Sequence, residues 1–99
     1  MTLKESQKKY LRGLGHQLKP TITVGDNGLT GTLLAEYEST LAHHELIKAR
    51  VRVGDRGARD DIIRELCSKG SADLIQRIGN IALLYRENPE NKKIRIPKA

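Results

Sequence analysis

Leu46 to Val53 reads as one extended segment in which, from Ile47 on, apolar and cationic side chains alternate without a break. Successive side chains of an extended chain point to opposite faces. Ile47, Ala49, Val51 and Val53 therefore share one face, and Lys48, Arg50 and Arg52 share the other. The pattern predicts a half-buried strand with a basic outer face. Whatever the chain folds into must pack a layer against one side of this strand.

The flanking segments supply that layer. Residues 3–18 read as a helix, with Leu3, Tyr10, Leu11, Leu14 and Leu18 inside an arc of roughly 100°. Lys4, Lys8, Arg12 and His16 recur every fourth residue, with Lys9 beside them, and form a separate basic face. Gly13 and Gly15 weaken this helix or end it early. The apolar arc is narrow and lacks Phe and Trp, so it suits a domain core better than a membrane surface. Pro20 closes the element, and Thr21-Ile22-Thr23-Val24 is a short β-rich run. Gly25-Asp26-Asn27-Gly28 follows as a turn. A second helix is expected from Leu29 to His43, with Leu29, Leu33, Leu34, Tyr37 and Leu41 on one side.

After the alternating strand, Asp55 is placed to cap a third helix whose apolar side is Ile62, Ile63, Leu66 and Cys67. Gly70 is expected just past its end, as the C′ residue. Ala72–Ile78 and Ile81–Arg86 read as strands joined by the two-residue hairpin Gly79-Asn80. The order is α-β-α-β-α-β-β, without an internal repeat. Strand-helix-strand units favour right-handed crossovers and parallel pairs, and the last hairpin adds an antiparallel pair. The expected fold class is α/β: a two-layer domain with a mixed four-stranded sheet.

The chain of 99 residues carries 18 Lys and Arg against 12 Asp and Glu, a formal charge of +6. One modest core fits that length. The charge is uneven. Residues 1–20 hold five cations (Lys4, Lys8, Lys9, Arg12, Lys19) against Glu5, a net of +4. Residues 86–99 hold Arg86, Lys92, Lys93, Arg95 and Lys98 against Glu87 and Glu90, a net of +3. The middle is nearly neutral. Such a distribution suits a polyanionic partner, although solvated charges that only keep a protein soluble are the plainer account. The clustering favours binding.

Several classes fall away. No apolar run is long enough to span a membrane or to form a signal-peptide core, so the cytoplasm is the expected compartment. Cys67 is the only cysteine, which leaves no internal disulfide and no cysteine-built metal site. His43-His44-Glu45 fails the zinc helix pattern, because Lys48 stands four residues after His44. A structural or surface role is expected there. Asp60-Asp61 sits in the first turn of a helix, where carboxylates favour the dipole. Ser and Thr stand in no nucleophile motif, so no enzyme, cofactor or small-molecule substrate is expected.

Gly25-Asp26-Asn27-Gly28 is the most informative segment. Two glycines let the backbone turn sharply and approach a ligand closely, and the N–H groups opening the next helix favour an anion such as a phosphodiester. The alternative is a plain strand-to-helix turn capped by Asp26 or Asn27. A carboxylate beside a phosphate is repulsive, so Asp26 is expected to turn towards the helix N-terminus. No Gly-Lys-Ser/Thr or dinucleotide fingerprint follows. Tyr10, Tyr37 and Tyr85 are the only aromatics, too few for base-stacking platforms. An RNA partner would be read by phosphate, sugar and shape.

Leu18-Lys19-Pro20, Val24-Gly25-Asp26-Asn27-Gly28-Leu29-Thr30, His44-Glu45-Leu46-Ile47-Lys48 and Leu83-Leu84-Tyr85-Arg86 occur in this order. Together they resemble the CRM domain, named for chloroplast RNA splicing and ribosome maturation, in its stand-alone bacterial YhbY-like form. The resemblance covers almost the whole chain. It implies a fold similar to the C-terminal domain of translation initiation factor three. It implies binding to ribosomal RNA of large-subunit precursors, as an assembly factor; similar plant domains promote intron splicing. It also implies that the Gly-x-x-Gly loop, here Gly25 to Gly28, contacts RNA by analogy with KH domains. The chain departs from the family at Asp26, where a basic or small polar residue is common. That moves weight onto Lys48, Arg50, Arg52 and the first helix.

The expected protein is a monomeric RNA-binding domain over residues 1–86 with a basic tail over 87–99, mobile in part, where Ile94 and Ile96 offer anchors. The candidate RNA-contacting residues are Gly25, Asp26, Asn27, Gly28, Lys4, Lys8, Arg12, Lys19, Lys48, Arg50 and Arg52. A DNA-binding domain and a module docking on ribosomal proteins are the rivals. The first lacks a helix-turn-helix or zinc pattern.

Overall fold

A computed structural model of the chain describes residues 3–98. Met1, Thr2 and Ala99, the outermost residues of the expected domain and tail, lie outside the described residues. The elements are α1 (Glu5–Gly15), β1 (Pro20–Val24), α2 (Gly31–His44), β2 (Leu46–Val51), α3 (Arg56–Gly70), β3 (Asp73–Ile78) and β4 (Ile81–Tyr85). The class, the three helices and the mixed four-stranded sheet are those read from the sequence.

The sheet order is β1-β2-β4-β3. β1 and β2 pair in parallel, and β4 runs antiparallel to both β2 and β3. One expectation is corrected here: β2 and β3 point the same way but do not pair. β4 lies between them because Ala82, Leu83, Leu84 and Tyr85 are all buried, and a strand apolar on both faces belongs inside a sheet. β3 takes the edge, with Asp73, Leu74 and Ile78 exposed. Its register shifts between Leu74 and Gln76, an irregularity common on edge strands.

The two faces are covered differently. Ile22, Val24, Ile47, Ala49, Val51, Ala82 and Leu84 form one core with Tyr37 and Leu41 of α2 and Ile63 and Leu66 of α3. Leu46, Ile75, Leu83 and Tyr85 form a second core with Leu3 and Leu11, flanked by Ile94 and Ile96. The two-layer expectation thus gains a third, partial layer made of α1 and the tail. Ile47, Ala49 and Val51 are buried as the alternation predicts, whereas the strand ends two residues before Val53.

α1 is shorter than the expected 3–18, and its buried face is narrower. Leu3 and Leu11 are buried, while Tyr10, Leu14 and Leu18 remain partly exposed. The helix seats itself through Gly15, where an added Cβ would lie 2.6 Å from Leu83 Cδ2. Contact therefore runs along Leu11 and Gly15, and Leu14 and Leu18 are left at the margin. Asp55 caps α3 as expected, its carboxylate accepting the Ala58 N–H at 2.9 Å. Gly70 is corrected from C′ to the last turn of α3: Ser71 takes the left-handed position at φ 49°.

Candidate functional site

The turn at the end of β1 is closed by the Gly28 N–H donating to the Gly25 carbonyl at 3.0 Å. Gly28 has φ +70°, a conformation glycine adopts without steric cost. Gly25, Asp26 and Asn27 are exposed. The helix that follows starts later than expected, at Gly31, and Thr30 is its cap, accepting the Leu33 N–H at 3.2 Å. Neither Asp26 nor Asn27 caps it. Leu29 explains the offset: it packs on the larger core and holds the tip of the loop off the helix end. Asp26 has no side-chain hydrogen bond among the described residues and stands in solvent rather than turning back to the helix.

The basic strand runs beside this loop. Arg50 pairs with Thr23, and Val51 with Val24. The Arg52 N–H donates to the Val24 carbonyl at 2.7 Å, one residue before Gly25. Arg50 and Arg52 are exposed. Lys48 is half-buried and lines a cleft of about 200 Å³ with Gly15, His16, Gln76 and Leu83. β1 starts opposite Lys48, so Lys19, just before Pro20, sits at the same level. None of Lys19, Lys48, Arg50 and Arg52 takes part in an ion pair among the described residues. Lys48 and Arg50 lie on the face opposite α2 and α3, and α1 reaches only as far as Leu83 over it.

The α1 stripe is placed elsewhere. Gln7 lines a small cleft with Tyr85, and Tyr85 pairs with the first residues of β2 and β3. The first turns of α1 therefore lie over the sheet end opposite the Gly25 loop. Lys4 is exposed there and Lys8 is half-buried. Arg12 binds Glu5 at 3.0 Å.

Part of the terminal charge is consumed inside the molecule. Arg86 binds the Glu38 carboxylate, at 2.8 Å through Nη1, and donates to the Gly70 carbonyl at 3.0 Å. The same hydrogen bond holds the Glu38 carboxyl below its usual range. Lys92 binds Glu87 at 2.9 Å. Lys93, Arg95 and Lys98 remain exposed. His43 and His44 are exposed, with rings edge to face at 4.7 Å. Among the described residues no group of three His, Cys, Asp or Glu is arranged to hold a metal ion, and no helix is long and apolar enough to cross a membrane.

The chain is similar along most of its length to known proteins. The CRS1 / YhbY (CRM) domain family matches residues 3–86. A Pseudomonas aeruginosa protein named as a probable RNA-binding protein is 45% identical over 93 residues, covering 94% of this chain and 89% of its own. A Haemophilus influenzae protein named RNA-binding protein is 44% identical, covering 98% of this chain and 97% of its own. The solution structure of a hypothetical protein from Staphylococcus aureus superimposes with a TM-score of 0.80 at 32% identity, covering 97% of this chain and 100% of that one.

Proposed function

Because the chain belongs to the CRS1 / YhbY (CRM) domain family, we propose that it is an RNA-binding protein that associates with ribosomal RNA of large-subunit precursors and assists their assembly. The observation that carries this reading is the junction of the Gly25–Gly28 turn with Arg50 and Arg52. An exposed, side-chain-poor turn lets a sugar-phosphate backbone come close. Two guanidiniums at its root, free of ion pairs among the described residues, supply charge and fork-shaped donors for phosphate oxygens. Lys19 and Lys48 extend the contact down the open half of the sheet.

Contacts of this kind fix register and orientation on a nucleic acid and carry little sequence information. Specificity then comes from RNA shape. Asp26 stays in solvent, and its charge sets an orientation in which the RNA approaches from the Arg50 and Arg52 side.

Sedimentation of a cell lysate through sucrose tests the reading, with fractions probed at low salt, at high salt and after ribonuclease. The protein is expected with large-subunit precursors and is expected at the top of the gradient after salt or ribonuclease. Retention on the particles after the RNA is digested would instead make ribosomal proteins the partner. Absence from the particles under every condition ends the assembly reading.

A further inference from the structure

β1, β2 and β3 share one direction, so their C-terminal ends lie along the same sheet edge. That edge carries the Gly25 loop, the start of α3 and the Gly79-Asn80 hairpin. The Val51 N–H donates to the Asn80 carbonyl at 2.7 Å and ties the hairpin to the end of β2. Arg56 and Arg59 stand three residues apart in the first turns of α3 and so share a helix face. Arg77 comes from the end of β3. These three arginines and Gly79 bound a cleft of about 400 Å³.

The nearby acids are all engaged. Asp55 accepts the Ala58 N–H at 2.9 Å. Asp60 binds Arg77, which also donates through Nε to the Gly79 carbonyl at 3.3 Å. Asp61 lies 3.6 Å from Arg64. Arg77 is thereby fixed as a wall with its charge balanced. Arg56 and Arg59 have no ion pair among the described residues. Arg59 Nε is shielded from solvent and has no hydrogen-bond acceptor among them. An N–H without an acceptor costs free energy, and a ligand oxygen relieves that cost once the guanidinium turns from its shielded position into the cleft.

We propose that this cleft is a phosphate seat, in which Arg56 and Arg59 hold one backbone phosphate of the bound RNA. The proposal rests on the RNA-binding reading above. An arginine fork matches a phosphate bidentately, and the cleft's polar boundary offers no base platform. Three inter-strand spacings, about 14 Å, separate the ends of β1 and β3. The phosphate here is therefore a different one from that at the Gly25 loop, and the RNA crosses the whole edge of the sheet.

Two measurements on the full chain test it. Inorganic phosphate is titrated into labelled protein while the Arg Nε–H resonances are followed by NMR. Binding to a structured RNA is measured against salt for the wild type and for Arg56→Gln/Arg59→Gln. The expected results are a saturable shift of the Arg59 Nε–H and a salt slope lower by about 0.7–0.9, since the variant neutralises one phosphate fewer. If the double variant does not fold, Arg56→Gln, at an exposed position, carries the salt series. An unmoved Arg59 resonance together with an unchanged slope overturns the seat. If the wild type binds no RNA while phosphate still shifts Arg59, the RNA reading fails and the anion seat stands.

Discussion

The carboxylate of Glu45 accepts the backbone N–H of Asn88 at 2.6 Å. Its other oxygen accepts the N–H groups of Lys93 and Ile94, at 2.7 and 2.8 Å. Glu45 is fully buried and sits between α2 and β2 at φ +64°. One side chain thus gathers the tail after β4 and brings Ile94 and Ile96 onto the α1 side of the sheet.

Glu45→Ala removes the acceptor of all three N–H groups. The tail can peel away and return them to water, so the cost is limited to about 2 kcal/mol. At roughly 4–8 °C per kcal/mol for a domain of this size, the melting temperature falls by about 8–16 °C. Hydrogen exchange over residues 88–94 should speed up well before the strands respond. A variant whose tail stays as protected as the wild type would show that Ile94 and Ile96 hold it without Glu45.

Acid stability should depend on two arginine-bound carboxylates. A hydrogen bond from Arg86 lowers the pKa of Glu38, and one from Arg77 lowers that of Asp60. A carboxyl depressed in the folded state contributes stability that is fully present above its ordinary value and is lost as pH falls through the folded value. Thermal stability is therefore expected to be level near neutrality and to decline below about pH 4. Glu38→Gln and Asp60→Asn should each flatten that decline. Parallel melting curves from pH 7 to pH 2 in wild type and variants would remove these pairs from the account.

Much of this arrangement was legible in the residues. The alternation from Ile47 to Val51 marked the strand and its two faces, and the spacing of Gly25 and Gly28 marked the turn. Which strand neighbours which was harder. β4 sits between β2 and β3 because it is apolar on both faces, and the run Ala82 to Tyr85 carried that signal. Glu45 left no periodic trace. A buried carboxylate that collects three N–H groups from 43 to 49 residues away is defined only when the tail folds back. Arg86 counted as surface charge for the same reason, since its partner Glu38 comes close only in the fold, whereas the pairing of Arg12 with Glu5, two turns apart on α1, was within reach of helix geometry. For Arg59, composition offered no way to tell a solvated arginine from one without an acceptor.

Gly70 and Tyr37 should behave as a coupled pair. The Tyr37 hydroxyl donates to the Leu66 carbonyl at 2.8 Å, and a Cβ on Gly70 would lie 2.7 Å from the Tyr37 oxygen and 2.9 Å from Leu41 Cδ1. Gly70→Ala overpacks this contact and should cost roughly 1–3 kcal/mol. Tyr37→Phe deletes a buried hydrogen bond, worth about 1 kcal/mol. Tyr37→Phe removes the nearest of the atoms that obstruct the new methyl and leaves ring Cε2, at 2.8 Å, in place. The double variant should therefore be less destabilised than the two single effects together. Additive losses in denaturant titrations would mean that the strain in Gly70→Ala comes from the Tyr37 ring and Leu41, which the hydroxyl deletion leaves in place.

Position along the sheet, more than charge, should decide which cations bind RNA. Arg50 and Arg52 flank the root of the Gly25 loop, while Lys4 and Lys8 stand over the opposite end, where Gln7 meets Tyr85. Arg50→Gln/Arg52→Gln and Lys4→Gln/Lys8→Gln remove the same charge, so general electrostatic attraction falls equally in both. A phosphate held directly by the arginines adds an effect of its own, about 0.7–0.9 in salt slope for each phosphate. The arginine variant should melt near the wild type, since exposed substitutions usually stay within about 0.5 kcal/mol, and Gln in place of the half-buried Lys8 keeps most of its apolar stem. The arginine pair is expected to weaken RNA binding markedly and to lower the slope, and the lysine pair to do so only slightly. Equal weakening would mean that net charge alone drives association. A larger effect from the lysine pair would move the interface to α1 and leave the Gly25 loop outside it.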